Sequence, residues 1–174
     1  MKEDITVDRI KSAAVILDIE GSDAVMGRAK NGLEARLRDA RALSLVRTAE
    51  EAAELISDGM TVGVSGFTPS GYPKAVPLAL AERGKRGEKI KIDVYSGASV
   101  GPEIDTALTE AGMIRRRLPY HTNAAIRDKI NEGEIDYVDM HLSQSTQYVN
   151  YGVLNKIDVA IVEGLAITEN GDIV

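Results

Sequence analysis

Residues 62–74 read Val-Gly-Val-Ser-Gly-Phe-Thr-Pro-Ser-Gly-Tyr-Pro-Lys, and this run predicts a buried strand, a glycine-rich loop and the start of a helix. The first residues are small and apolar, as in a short buried strand. Gly66 and Gly71 allow positive φ and close approach of a ligand, and Pro73 suits a first helical turn. The start of the helix favours an anion, and open α/β sheets bind ligands at such junctions. The alternative interpretation is a tight turn that binds no ligand.

Composition restricts the classes of protein that remain. The hydrophobic content of 44% and charged content of 28% are ordinary for a globular chain, and 174 residues suit one domain. The net charge of −6 argues against nucleic-acid binding. With no cysteine and two histidines, we expect neither a disulfide framework nor a metal site. No apolar run reaches about 18 residues and no signal peptide is evident, so we expect a cytoplasmic location and no membrane span.

The chain divides into a helix-prone, charged segment at residues 1–47 and an α/β domain at residues 48–174. We interpret the first segment as a helical N-terminal extension that packs outside the domain, and the domain as an open, mainly parallel sheet with flanking helices. Thr48 and Glu51 have the spacing of a capping box. The basic cluster Arg-Arg-Arg at 115–117 is interpreted as a solvated strand edge. Strands are predicted near 61–65, 90–95, 114–118, 136–140 and 157–163, and helices near 73–84, 102–112 and 123–132.

The last residues predict that the sequence was cut from a longer one. Glu-Asn-Gly-Asp at 169–172 is a strong turn signal, which should lead into a returning strand. Only Ile173 and Val174 follow this turn.

Three more loops resemble the first in composition and position. They lie at 96–103, 118–123 and 139–144, each after a predicted strand. Loops that follow parallel strands gather at the carboxyl edge of the sheet. Four small-polar loops at one edge predict a pocket for a polar, anionic small molecule.

The residues of these loops resemble the acetyl-CoA hydrolase/transferase family, the succinyl-CoA:acetate and 4-hydroxybutyrate type of class I CoA-transferase. Gly-Phe-Thr-Pro-Ser-Gly-Tyr-Pro-Lys-Ala-Val-Pro at 66–77 is similar to the N-terminal glycine loop of that family. The segments 97–105, 120–134 and 137–144 are similar to the next three loops, in the same order. The terminal segment 159–171 also fits, so the resemblance extends from about residue 45 to the end.

The resemblance implies a fold of the NagB/ribose-5-phosphate isomerase/CoA-transferase type. It also implies transfer of coenzyme A between an acyl-CoA and a free carboxylate, or hydrolysis of the acyl-CoA, through an anhydride and a glutamyl-CoA thioester. Coenzyme A would be a substrate, and no tightly bound cofactor is implied. Members of the family carry the nucleophilic glutamate in a C-terminal half that this sequence lacks, so we expect no catalytic residue here and no activity from this chain alone. Glu163 does not match the nucleophile motif.

The same resemblance implies that this part of the protein shapes the acyl and carboxylate end of the pocket. Phe67 and Tyr72 would exclude water, and Lys74 either attracts the anion or faces solvent. His121 and His141 are interpreted as loop-positioning groups rather than general bases. The expected substrate-binding residues are Gly66, Phe67, Thr68, Gly71, Tyr72, Lys74, Gly97, Ser99, His141 and Gln144.

Two alternatives remain open at this point. The chain could be a stand-alone module that binds a small carboxylate or phosphate, or one subunit of a split, two-chain CoA-transferase. The partners we expect are acyl-CoA and small carboxylates, a C-terminal half or second subunit, and other copies of this chain in a homo-oligomer. Acyl specificity, and the choice between transferase and hydrolase, do not follow from the sequence.

Overall fold

The computed structural model describes residues 14–18, 45–165 and 173–174, and these form an open parallel sheet flanked by helices. The main sheet contains β1 (Ala14–Asp18), β2 (Thr61–Val64), β4 (Ile92–Tyr95), β6 (Ile114–Leu118), β7 (Asp136–Tyr137) and β8 (Val159–Glu163), while β3 (Phe67–Thr68) and β5 (Ala98–Ser99) pair separately. The strand order of the main sheet is β1-β8-β2-β4-β6-β7, and all its pairings are parallel. The predicted α/β fold class is therefore confirmed.

In the described part of the chain five helices connect these strands, and α1 begins at the cap that the sequence predicts. The helices are α1 (Ala49–Ala53), α2 (Ala75–Lys85), α3 (Pro102–Glu110), α4 (Ala124–Asn131) and α5 (Leu142–Asn150). The Thr48 hydroxyl accepts from the backbone N–H of Glu51 at 3.2 Å, and the Glu51 carboxylate accepts from that of Thr48 at 2.9 Å. This is the expected capping box. The Asn123 side chain accepts from the N–H of Ala125 at 2.9 Å and caps α4.

The two faces of the main sheet carry different side chains because residues alternate along each strand. Val62, Val94 and Ile161 belong to the buried core, together with residues of α2, α3 and α4. Gly63 and Tyr95 are register partners, and the Tyr95 side chain projects to the opposite face. That face lies under α5, because residues of α5 and these two residues line the same cavity. The core is thus on one side of the sheet and a cavity is on the other.

Part of the N-terminal segment is a strand, which corrects the prediction of a helical extension over residues 1–47. β1 runs parallel to β8, with Ala14 opposite Val159 and Asp18 opposite Glu163. A short apolar run cannot be assigned to a helix or a strand from periodicity alone, and here pairing with β8 decides. The remainder of 1–44, and the predicted turn at 169–172, lie outside the described residues. In the described part of the chain, no helix is long and apolar enough to cross a membrane.

Candidate functional site

The glycine loop between β2 and α2 is a compact turn with unusual backbone angles. Gly66 has a φ of 118° and Gly71 a φ of 68°, as the sequence predicts for these glycines. The N–H of Phe67 donates to the carbonyl of Ser70 at 2.9 Å, and the N–H of Ser70 donates back at 3.2 Å. Thr68 has a φ of 53°, which is uncommon for a β-branched residue. Such strained backbone angles persist only where the surrounding structure enforces them, and they are frequent at functional sites.

A second glycine loop, after β4, is joined to the first. β3 and β5 pair in parallel, with Phe67 opposite Ala98 and Thr68 opposite Ser99. The N–H of Val100 donates to the carbonyl of Thr68 at 3.3 Å. Of Ser99, an expected site residue, only the backbone is described. The two predicted loops therefore form one backbone unit at the carboxyl edge of the sheet.

Tyr72 packs beneath this unit instead of facing outward. Its side chain is buried, and its hydroxyl donates to the Glu103 carboxylate at 2.8 Å. A Cβ atom at Gly101 would lie 2.3 Å from Cε2 of the Tyr72 ring, so only glycine fits there. Tyr72 thus fixes the glycine loop onto the start of α3.

Lys74 contacts both the loop and β8. Its ammonium group forms a hydrogen-bonded ion pair with the Glu163 carboxylate and donates to the Tyr72 carbonyl at 3.2 Å. It also lies 4.6 Å from the centroid of the Tyr72 ring, within cation–π range. The Lys74 side chain is thus partly buried against a carboxylate and does not simply face solvent, while its attraction of a bound anion stays a prediction.

A cavity of about 430 Å³ opens at the carboxyl ends of the central strands, beneath α5. Among the described residues that line it, none carries a charged side chain. Of the expected site residues, Gly66 and Gly97 reach it, whereas Phe67, Thr68, Gly71, Tyr72 and Lys74 lie beside it. The described lining residues are Gly63, Val64, Ser65, Gly66, Tyr95, Ser96, Gly97, Leu118, Pro119, Ser145, Thr146, Val149, Asn150, Leu154, Ile157, Ala160, Ile161 and Val162.

The helix α5 was not predicted from the sequence, yet two of the expected site residues lie at its start. His141 caps this helix: its Nδ1 accepts from the N–H of Ser143 at 3.4 Å and lies 2.8 Å from the Ser143 hydroxyl. Both His141 and Gln144 are exposed. Neither is among the described lining residues of the cavity, but Ser145 and Thr146, which follow directly in the chain, are. The cap at His141 was the available signal for this helix.

A buried ion pair supports the floor of the site. Arg117 and Asp105 are both fully buried, and Arg117 Nε donates to Asp105 Oδ1 at 2.9 Å. Arg117 Nη1 also donates to the Ser96 hydroxyl and, at 3.0 Å, to the carbonyl of Leu118. These bonds join the ends of β4 and β6 to α3. No local motif of the sequence indicates this pairing.

The interpretation of the arginine cluster as a solvated edge is therefore wrong for Arg117, whereas Arg115 is exposed. The three side chains have different environments, because Arg115 is 42% exposed, Arg116 34% and Arg117 fully buried. Arg117 is buried with Asp105, while Arg115 and Arg116 both pair with Asp93, which is itself fully buried. The three arginines therefore form ion pairs with the buried carboxylates of Asp93 and Asp105.

His121 lies in the loop after β6, next to this buried pair. Burial lowers the pKa of His121, and the nearby positive charge of Arg117 lowers it further. Its ring meets that of Tyr137 edge-on, with centroids 5.0 Å apart. Burial raises the pKa of Tyr137, whose hydroxyl donates to the carbonyl of Pro119 at 2.7 Å. These contacts fit the loop-positioning role expected for His121.

The site offers fixed backbone and small hydroxyl groups around a cavity whose described lining has no charged side chain. Ser65, Ser96 and Thr146 supply hydroxyl groups at its wall. Among the described residues there is no group of three histidine, cysteine, aspartate or glutamate side chains that could hold a metal ion. Glu163, a carboxylate at this edge of the sheet, pairs with Lys74. The arrangement suits binding and orientation of a small ligand more than nucleophilic attack.

Comparisons with known proteins agree with the family that these loops resemble. A family model described as the acetyl-CoA hydrolase/transferase N-terminal domain matches residues 34–174. The succinyl-CoA:acetate CoA-transferase of Clostridium kluyveri is 51% identical over 142 residues, which cover 81% of this chain and 26% of that protein. The acetyl-CoA hydrolase of Eremothecium gossypii is 40% identical over 153 residues, covering 82% of this chain and 29% of its own. The chain thus spans little more than a quarter of these relatives.

Among solved structures, a variant of the decarboxylase AibA/AibB is similar with a TM-score of 0.46 and 18% sequence identity. That similarity covers 59% of this chain and 41% of the other.

Proposed function

Since the chain belongs to the acetyl-CoA hydrolase/transferase family, we propose that it is the N-terminal part of an acyl-CoA:carboxylate CoA-transferase or acyl-CoA hydrolase. In this proposal it forms one wall of the pocket for the acyl group and the carboxylate. The observation that supports it best is the joined pair of glycine loops beside the cavity, within the segment that matches the family.

The reaction we propose needs a nucleophilic glutamate from outside this chain. Its carboxylate attacks the thioester carbonyl, releases the CoA thiolate and forms a mixed anhydride. The thiolate then attacks the glutamyl carbonyl of the anhydride, which frees the first carboxylate and leaves a glutamyl-CoA thioester. The steps reverse with a second carboxylate in a transferase, whereas in a hydrolase water attacks the glutamyl carbonyl of the thioester, releases CoA and restores the glutamate carboxylate. Each step only transfers an acyl group from one oxygen or sulfur atom to another, so the reaction needs no oxidant or reductant.

The role we assign to this chain is to bind and shield the reacting acyl group. A thioester-borne acyl group is uncharged, which suits a cavity whose described lining has no charged side chain. Phe67, with 71% of its surface exposed at the turn of the glycine loop, would cover the anhydride and exclude water once the rest of the protein packs on this edge. Gly66, Thr68 and Gly71 would hold an anionic oxygen through backbone N–H groups.

Tyr72 and Glu163 have supporting roles in this proposal. Tyr72 is buried beneath the loop, so it acts on the pocket by holding the loop in place. Glu163 pairs with Lys74, which leaves its carboxylate poorly placed for attack on a thioester. We therefore propose that the nucleophile lies outside this chain.

We also propose that the chain associates with other protein surface, either further copies or the remainder of a longer protein. Five large apolar side chains among the described residues are more than two thirds exposed; they are Leu45, Phe67, Tyr151, Val153 and Leu165. Light scattering across a concentration series tests self-association. A mass that stays at that of one chain at high concentration contradicts it.

The function is tested by a CoA-transfer assay with acetyl-CoA and labelled acetate, succinate, butyrate or 4-hydroxybutyrate. The 174-residue chain alone should neither transfer CoA nor hydrolyse the thioester, whereas a longer protein that contains it should do one of the two. Borohydride reduction of a glutamyl-CoA thioester in the longer protein would locate the nucleophile. Modification of Glu163, or turnover by the pure chain, would overturn the proposal.

A further inference from the structure

The ion pair between Lys74 and Glu163 joins two elements that are far apart in sequence. Lys74 directly precedes α2, and Glu163 is the last residue of β8. Their side chains are only 27% and 17% exposed, so water screens the pair less than it screens a surface pair. The C-terminal end of the glycine loop, residues 65–73, is therefore held to β8 by an electrostatic contact.

The backbone of Glu163 holds the other end of the same loop. Its N–H donates to the Ser65 hydroxyl at 2.9 Å, and that hydroxyl donates to the carbonyl of Gly71 at 2.9 Å. The N–H of Ser65 in turn donates to the carbonyl of Ile161 at 3.0 Å. One residue of β8 thus contacts both the start and the end of the glycine loop.

The carboxylate also lies close to Gly71, which packs against Gly66. A Cβ at Gly71 would be 3.9 Å from Glu163 Oε2 and 3.8 Å from the Cα of Gly66. Gly66 and its neighbour Ser65 line the cavity. A shift of the Glu163 side chain would consequently move the wall of the cavity.

We propose that Lys74 and Glu163 are positioning residues that clamp the glycine loop against β8 and so set the shape of the acyl pocket. The clamp itself is a property of the described chain, while its effect on catalysis rests on the proposed function. Neither residue touches a reacting atom in this proposal. Lys74→Met or Glu163→Gln would each release the loop, because the remaining charged or polar partner loses its counterpart in a partly buried place.

Hydrogen exchange read by mass spectrometry tests the clamp directly in the 174-residue chain. The amides of Ser65, Phe67, Ser70 and Glu163 are hydrogen-bonded, so their exchange reports on opening of the loop. We expect Lys74→Met and Glu163→Gln each to speed their exchange about tenfold, and the double variant to add little, since the two side chains act as a unit. Lys74→Arg, which keeps the charge, should restore most of the protection.

Lys129→Met is the matched control. Lys129 pairs with Glu132 and Glu134 at an exposed site, so its loss should leave exchange in the loop unchanged. Equal exchange in the wild type, Lys74→Met and Glu163→Gln would overturn the clamp. So would faster exchange spread evenly over the whole chain, because that would indicate general destabilisation.

A second readout separates the clamp from the proposed function. In a longer protein with CoA-transfer activity, Lys74→Met should lower kcat about tenfold, by misplacing the pocket wall, and Lys74→Arg should recover it. Abolition of activity by Glu163→Gln together with full activity in Lys74→Met would overturn the positioning role and make Glu163 catalytic. If no CoA transfer is found in the wild type, the proposed function fails, while the exchange result still decides the clamp.

Discussion

Gly101→Ala should destabilise the chain by forcing the glycine loop away from α3. The new methyl group would lie 2.3 Å from Cε2 and 2.5 Å from Cζ of the Tyr72 ring, where ordinary carbon contacts exceed 3.4 Å. The ring must therefore move by more than about 1 Å, and such overpacking costs about 1–3 kcal/mol. Tyr72 has little freedom to move, because it is buried and bonded to Glu103. We expect a loss near the upper end of that range.

The backbone at Gly101 contributes no strain to this estimate. Its φ of −170° and ψ of 151° are extended, and alanine adopts them freely. Alanine also restricts the unfolded chain, which returns about 0.4–1 kcal/mol. The net loss should be about 2 kcal/mol, and with a urea m-value of about 2 kcal/mol/M the unfolding midpoint should fall by about 1 M.

Urea unfolding followed by circular dichroism measures this change, and two variants give the comparison. At Gly63 a new Cβ would be 3.0 Å from the mobile end of the Ile157 side chain, so Gly63→Ala should cost under about 1 kcal/mol. In a Tyr72→Leu background, Gly101→Ala should lose most of its cost because the ring is gone. An unchanged midpoint for Gly101→Ala, or the same cost with and without the Tyr72 ring, would refute the reasoning.

Three further predictions concern the floor, the loop after β6 and the tip of the glycine loop. Asp105→Asn or Arg117→Met should each cost about 3–5 kcal/mol in urea unfolding, and the double variant less than their sum, since each single change removes one charge of a fully buried ion pair. The lowered pKa of His121 means that the unfolded chain takes up its proton first as the pH falls below about 6.5, so stability should drop toward about pH 5. His121→Asn should reduce that drop in Tm between about pH 7.5 and about pH 5, and an unaltered drop in this variant would contradict this origin. Phe67→Ala should change stability by less than about 0.5 kcal/mol because the ring is exposed, yet slow CoA transfer in a longer protein; a large loss of stability would show that the ring is a core residue.

The strands and the edge at which they end could be predicted because buried parallel strands are short apolar runs bounded by glycine and polar loops. Val159–Glu163 is such a run, and the strands predicted near 61–65, 90–95 and 114–118 are also present as β2, β4 and β6. The strand at Ala14–Asp18 could not be recognised, since its partner lies about 145 residues further along the chain. A local pattern that fits both a helix and a strand is decided only by that distant pairing.

The candidate site was predictable to the level of its loops but not of its side-chain contacts. Gly66 and Gly71 adopt positive φ as the sequence required. The pairings of Lys74 with Glu163 and of Arg117 with Asp105 depend on strand register and helix placement, which no local motif specifies. Such contacts therefore come only from the folded chain.

The central claim, that this chain shapes a CoA-transferase pocket whose nucleophile lies elsewhere, is tested most directly by one measurement. The 174-residue chain is assayed alone and as part of a longer protein for label exchange between acetyl-CoA and acetate. The account predicts exchange only in the longer protein, with the glutamyl-CoA thioester on a residue outside this chain. Exchange by the 174-residue chain at a rate proportional to its own concentration would contradict it.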